Sequence, residues 1–313
     1  MGTHTAGQKA ERTGLVFGFV GMLAFGLTLP ATREAVAYFD PLLVGMGRVV
    51  VASVLAAVLL LVTRQRWPSR EQWRGLVIVA SGVGVGFPVL SAWALQEVPA
   101  AHGSIVLGLL PLATALFGAL RAGERPTRGF WAASALGSLT VVAFAVSRGA
   151  GQLHLEDLAL VAAVIMAGLS YAEGGRLAVT MGGWQVICWA LVLTGPFLVL
   201  PSAWALLEHG LAGPPGAWLG FGYVSLVSQF LGFFAWYRGL ALGGIARVGQ
   251  LQLLQPFVTI GAAALLLGEV ITPDVLVAAL VVVGTIALGR KAGVRRNLRE
   301  AATPATTASG TPG

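Results

Sequence analysis

Arg48, in "DPLLVGMGR", and Glu173, in "SYAEGGR", are full charges standing inside long apolar runs of this sequence. A charge at the centre of a bilayer-spanning helix costs roughly 2.5 to 3.5 kcal/mol on insertion scales, so one kept there normally meets a partner or a wet cavity. The chemistry open to Arg48 is clamping an anion or making and breaking a gating ion pair. The plainer alternative is a bond to carbonyls at a helix end, or snorkelling towards an interface. Glu173 can carry a coupling proton, or pair structurally with Arg176 one turn on. Gln229, Gln250, Gln252 and Gln255 are neutral amides able both to donate and to accept. Gln252 and Gln255, three apart, share a helix face, and solute contact and helix-to-helix bonding are both open to them. Trp93, Tyr171 and Trp236 can form an aromatic wall for amphipathic solutes, whereas Trp67, Trp73, Trp184 and Trp218 suit interfacial belts. All of this is binding chemistry. There is no GxxxxGK[ST], HExxH or GxSxG, and the single Cys188 excludes an intramolecular disulfide or a cysteine-built metal cluster. No enzyme activity, cofactor or metal is expected.

The elements that must position these side chains follow from composition. With 56% hydrophobic and 11% charged residues and a mean hydropathy of +0.81, the chain has too little polar surface for a water-facing exterior. Apolar runs of roughly 17 to 25 residues, the length that crosses about 30 Å of hydrocarbon as helix, recur ten times: 14–33, 42–63, 75–95, 102–120, 129–147, 157–178, 184–206, 217–238, 246–267 and 274–290. The expected fold class is therefore an all-α polytopic membrane protein of ten transmembrane helices. The first run lacks a convincing cleavage site and reads as a retained span.

The net charge of +7 suggests nucleic acid until the charges are placed in the loops. With a cytoplasmic N-terminus, seventeen of the twenty Lys and Arg fall in segments on the cytoplasmic side, as membrane topology predicts. That split places both termini in the cytoplasm and removes nucleic acid from the expected partners. The Arg-, Ala- and Gly-rich composition points to a GC-rich bacterial genome, and the expected location is a bacterial cytoplasmic (inner) membrane.

Sliding the chain by 145 positions aligns Trp73 with Trp218, Pro111 with Pro256, Gly123 with Gly268 and Glu124 with Glu269 without a gap. Two copies of a five-helix unit are expected: 14–150 and 151–293, preceded by a cytoplasmic segment 1–13 and followed by a disordered cytoplasmic tail 294–313. Five is odd, so the second copy enters from the opposite side. Inverted repeats of this kind let one central site open to either face in turn. Pro111 and Pro256 each remove a backbone donor at equivalent positions and are the expected paired hinges. Gly14 with Gly18, and Gly82 with Gly86, have the spacing that lets helices approach closely.

These features resemble the drug/metabolite transporter superfamily, specifically its EamA type: the Pro-Leu and Arg of Asp40 to Arg48, and the mid-span proline and terminal Gly-Glu of helices four and nine. The resemblance covers about 14–290. It implies a secondary active transporter of small organic solutes (amino acids, metabolites or drugs), working outward through a cavity lined by helices one, three, four, six, eight and nine. Trp93, Tyr171, Gln229, Trp236, Gln252 and Gln255 are the cavity candidates on those helices, with Arg48 and Glu173 as gating or coupling candidates. Expected partners are the lipid bilayer and a small-molecule solute, with a proton or counter-solute and a homodimer left open. The competing classes are an integral membrane enzyme and a non-transporting scaffold or sensor.

Overall fold

The computed structural model describes residues 2–97, 103, 106–147, 156–259, 261, 273–292 and 294–296. Helix α1 (Gly2–Gly26) begins in the polar N-terminal segment, breaks at Leu27 and continues as α2 (Thr28–Val36). Asp40 caps α3 (Pro41–Val62), its carboxylate accepting from Leu43 N at 3.0 Å, with Pro41 in the first turn, where its missing N–H costs nothing. A capping box of Ser69 and Gln72 opens α4 (Arg70–Val79). That helix runs through a π-helical stretch, Ala80–Gly86, into α5 (Phe87–Glu97).

The later elements are α6 (Leu110–Ala122), α7 (Arg128–Ser147), α8 (Glu156–Met181), α9 (Gly183–His209) and α10 (Pro215–Gly222). A second π-helical stretch, Tyr223–Leu231, joins α10 to α11 (Gly232–Gly243). The short α12 (Ile245–Gly249) tightens into a 3-10 turn, Gln250–Leu254, and α13 (Pro273–Ala292) closes the helical set.

Among the described residues six stretches are long and apolar enough to cross a membrane: Gly7–Val36, Pro41–Val62, Arg70–Glu97, Glu156–Met181, Gly183–His209 and Pro215–Gly243. This makes the chain a multi-pass membrane protein. The fourth and ninth expected spans lie partly outside the described residues, as do Gly268 and Glu269. Val294–Arg296, placed by composition at the head of a disordered tail, instead pairs antiparallel with Glu124–Pro126, Glu124 opposite Arg296. The rest of that tail lies outside the described residues.

Two contacts fix the architecture. On α1, Gly14 and Gly18 lie against Gly243 and Gly239 of α11, so closely that a Cβ on Gly239 would sit 2.5 Å from Gly18 N. On the other side, Gly82 lies against Ser170 and the Met166 carbonyl of α8. Both are crossings where backbone meets backbone or nearly so, the arrangement small residues permit in lipid, where packing replaces the hydrophobic effect as the force between helices.

Candidate functional site

At the centre of the bundle an aromatic group joins α1, α8 and α11. Phe25 meets Phe233 with ring centroids 4.9 Å apart and Trp236 at 5.8 Å, and Tyr171 meets Trp236 at 5.4 Å. Beside these rings runs a narrow space lined in part by Thr28, Arg48, Tyr171, Ser228, Gln229 and Gln255. In this conformation it holds about one water molecule, not an organic solute.

The two π-helical stretches place Ser228, Gln229 and the Val83 carbonyl here. A π turn widens the helix by one residue and shifts its hydrogen-bond ladder, so side chains and carbonyls are re-aimed. Gln229, in the second stretch, donates through Nε2 to the Val83 carbonyl of the first at 2.7 Å. One residue earlier, Ser228 Oγ is 2.9 Å from Thr28 Oγ1, just past the break between α1 and α2. Gln255 Nε2 donates to the Phe25 carbonyl at 3.2 Å, and Thr259 donates to the Gly26 carbonyl. The break in helix one is thus held by side chains from α10–α11 and from the segment after the 3-10 turn. Pro111 lies in the first turn of α6, and Pro256 lies two residues past the end of the 3-10 turn, so both stand beside a helix boundary.

Arg48 is 1% exposed. Its Nη2 reaches Ser91 Oγ at 3.5 Å, the outer limit of a hydrogen bond, while Nε and Nη1 have no partner among the described residues. Gln252 lies beside Tyr171, yet neither of its amide atoms has a hydrogen-bond partner among the described residues; with Gln255 it lines an adjoining space that also touches Pro256. Trp236, within the aromatic group, is fully buried, and its indole N–H has no hydrogen-bond partner among the described residues.

The structure therefore brings Arg48, Tyr171, Gln229 and Gln255 to one space, with Gln252 and Trp236 adjoining it. Trp93 lies apart: it is 42% exposed on the outer surface of the bundle. Sequence reasoning passed over Phe25, Phe233, Thr28, Ser228 and Ser91. The apolar ones look like any lipid-facing residue, and the small hydroxyls are common throughout the chain.

Glu173 lies away from this space, fully buried, accepting from Arg176 Nη2 at 2.6 Å and from Arg121 Nε at 3.1 Å. The pairing with Arg176 was legible from spacing; Arg121, at the end of α6, was not. The two arginines are partly exposed, so removing the carboxylate leaves them able to reach water. Glu173→Gln is expected to lower stability by about 1–3 kcal/mol, read as a reduced thermal midpoint of the purified protein. An unchanged midpoint would show that the carboxylate does not hold α6 to α8.

At the same end of α6, Gly123 adopts φ 65°, a left-handed conformation that glycine takes without steric penalty. This turn points Glu124 at the start of α12, where its two oxygens accept from Ile245 N and Ala246 N, each at 2.8 Å. The Gly-Glu pair thus ends one helix and caps another 121 positions on.

Comparison with known proteins agrees with this architecture. The chain is 50% identical over 262 residues, 82% of its length and 89% of the relative's, to "Uncharacterized transporter YdeK" of Bacillus subtilis (strain 168). It is 28% identical over 285 residues, 90% of its length and 95% of the relative's, to the "Probable terminal-alkyne amino-acid exporter" of Streptantibioticus cattleyicolor. A solved crystal structure superposes with a TM-score of 0.72 at 19% identity, covering 88% of this chain and 98% of the other, which establishes a shared fold. The sequence model of the EamA-like transporter family matches residues 12–146 and again 154–289. With both matches together spanning most of its length, the chain belongs to the EamA-like transporter family.

Proposed function

We propose that this protein is a secondary active exporter of small organic solutes, amino acids, metabolites or drugs, in the bacterial cytoplasmic membrane. It works by alternating access between two inverted five-helix repeats, ten spans in all, with both termini cytoplasmic. The observation that carries this reading is the pair of π-helical stretches. Ala80–Gly86 shifted by the 145-residue offset falls on 225–231, within Tyr223–Leu231. The two irregular stretches occupy equivalent places in the two halves and touch through Gln229 and Val83. The family model matching twice supports the same division. So does the packing: α1 on α11 in one half-to-half contact, α8 on the first π-helical stretch in the other, helices one with eight and six with three. The outward direction rests on the amino-acid exporter's name. Energy comes from the solute's own gradient, a proton or a counter-solute.

In this reading Pro111 and Pro256 are the hinges and the space beside Tyr171 is the closed form of the solute cavity. Mass spectrometry of the medium from overexpressing cells tests it, beside cells making the Pro111→Ala/Pro256→Ala double variant. Solutes enriched outside only with the parent chain are expected. Identical media, with both proteins confirmed in the membrane, would overturn export. Within such an assay Trp93→Ala is expected to keep transport near the parental level and Gln252→Ala to lose most of it; equal losses would refute this placement of the cavity.

A further inference from the structure

Among the cations of the described residues Arg48 is unusual in its surroundings. Arg121 and Arg176 share Glu173, and Arg247 pairs with Glu11 at 2.7 Å. Arg33 caps the Leu95 and Gln96 carbonyls at the end of α5. Arg48 has none of these: no described Asp or Glu forms an ion pair with it, and two of its donor nitrogens are buried without an acceptor. A buried cation left in this state is costly, and an arrangement that keeps one is incomplete until an anion or water fills it.

The lining around Arg48 supplies the rest of the specification. Thr28, Ser228, Gln229 and Gln255 are neutral, and among the described residues no Asp or Glu lines the space. Its fixed charge is that of one guanidinium, which attracts a monoanion and repels an organic cation. A guanidinium offers two parallel N–H groups in a planar fork, the geometry that matches the two oxygens of a carboxylate. Apart from the Tyr171 phenol, the remaining wall, including Phe25, Phe87 and Phe233, is apolar.

We propose that Arg48 is the recognition group for a carboxylate on the transported solute, whose apolar body lies against Phe25, Phe87 and Phe233 once the closed cavity widens. This rests on the exporter reading above and names its substrate class. Free amino acids and simple carboxylic acids share the chemistry, so the test must separate them.

The full-length protein, purified in detergent, is melted in the presence of 4-methylpentanoate, L-leucine and 3-phenylpropanoate, each beside its primary amide, and of inorganic phosphate. The acids are expected to raise the midpoint saturably and to bind at least about tenfold tighter than the amides. Arg48→Gln is expected to abolish that difference and Arg48→Lys to keep part of it. Preference for leucine over 4-methylpentanoate would identify amino acids within the class, the reverse order simple acids; both support the proposal. Equal effects of acids and amides, an acid preference unchanged in Arg48→Gln, a response to phosphate alone, or no response to any probe would each overturn it. Should Arg48→Gln not fold, the acid-to-amide comparison on the parent chain decides by itself. Efflux of the same probes from preloaded proteoliposomes separates the two levels of inference. Protein-dependent efflux of amides as fast as acids refutes carboxylate recognition and leaves transport standing. Acid-selective binding with no efflux of any probe refutes transport and leaves the binding site standing.

Discussion

Gly239→Val is expected to yield no folded protein in the membrane. The α1–α11 crossing leaves no room for a side chain: a Cβ at 239 would sit 2.5 Å from Gly18 N, 2.8 Å from Gly18 Cα and 2.9 Å from the Gly14 carbonyl oxygen. These are backbone atoms of a helix, so neither partner can yield by changing a rotamer, and the helices must separate along several turns. Separation would also pull Phe25 from Trp236 and dismantle the aromatic centre. Since overpacking a single well-filled site already costs about 1–3 kcal/mol, a backbone clash with collateral loss should exceed the few kcal/mol of net stability typical of folded proteins. Expression as a fluorescent fusion followed by size-exclusion chromatography reads the result. A monodisperse peak of parental height would show that the crossing tolerates a wider spacing. Gly222→Val, where nothing lies within 4 Å of the added carbon, is the matched control.

Glu124→Ala is the second large effect, expected at about 2–4 kcal/mol. The carboxylate satisfies two backbone N–H groups at the start of α12, each at 2.8 Å, and those donors are buried. Leaving a buried donor unpaired costs about 1–3 kcal/mol, and a negative charge at a helix N-terminus contributes a further fraction of a kcal/mol through the aligned peptide dipoles. Glu124→Gln, which keeps one carbonyl acceptor, should lie between. Hydrogen exchange at Ile245 and Ala246 should quicken in Glu124→Ala while exchange in α3 and α9 stays slow. Unchanged protection at 245 and 246 would mean that another group takes over the cap.

Six apolar spans and the close approach of Gly14 were legible because each is local: a run of apolar residues, a four-residue spacing of small residues. The Gly-Glu pattern was legible as a motif, but its target was not, because nothing near residue 124 in the chain says that residues 245 and 246 await an acceptor. Gln229 was found by its polarity inside a span, whereas its bond to Val83 depends on two π-helical stretches that hydropathy at a period of 3.6 cannot register. Trp93 illustrates a second blind spot. It lies inside an expected span, and neither its type nor its place in the apolar run says which way its ring turns. Arg48 was visible as an anomaly in an apolar run; only the structure shows that its neighbours bring it no carboxylate.

The two π-helical stretches also carry a chronology. A helix acquires such a bulge when one residue is inserted between ends already fixed by packing. Independent insertions at matching positions of two halves would be a coincidence, so on the proposed duplication the bulge is the older event. On that proposal the ancestor would be a half-length chain already bearing the irregular turn, with a second copy, entering from the opposite side, supplying the opposite wall.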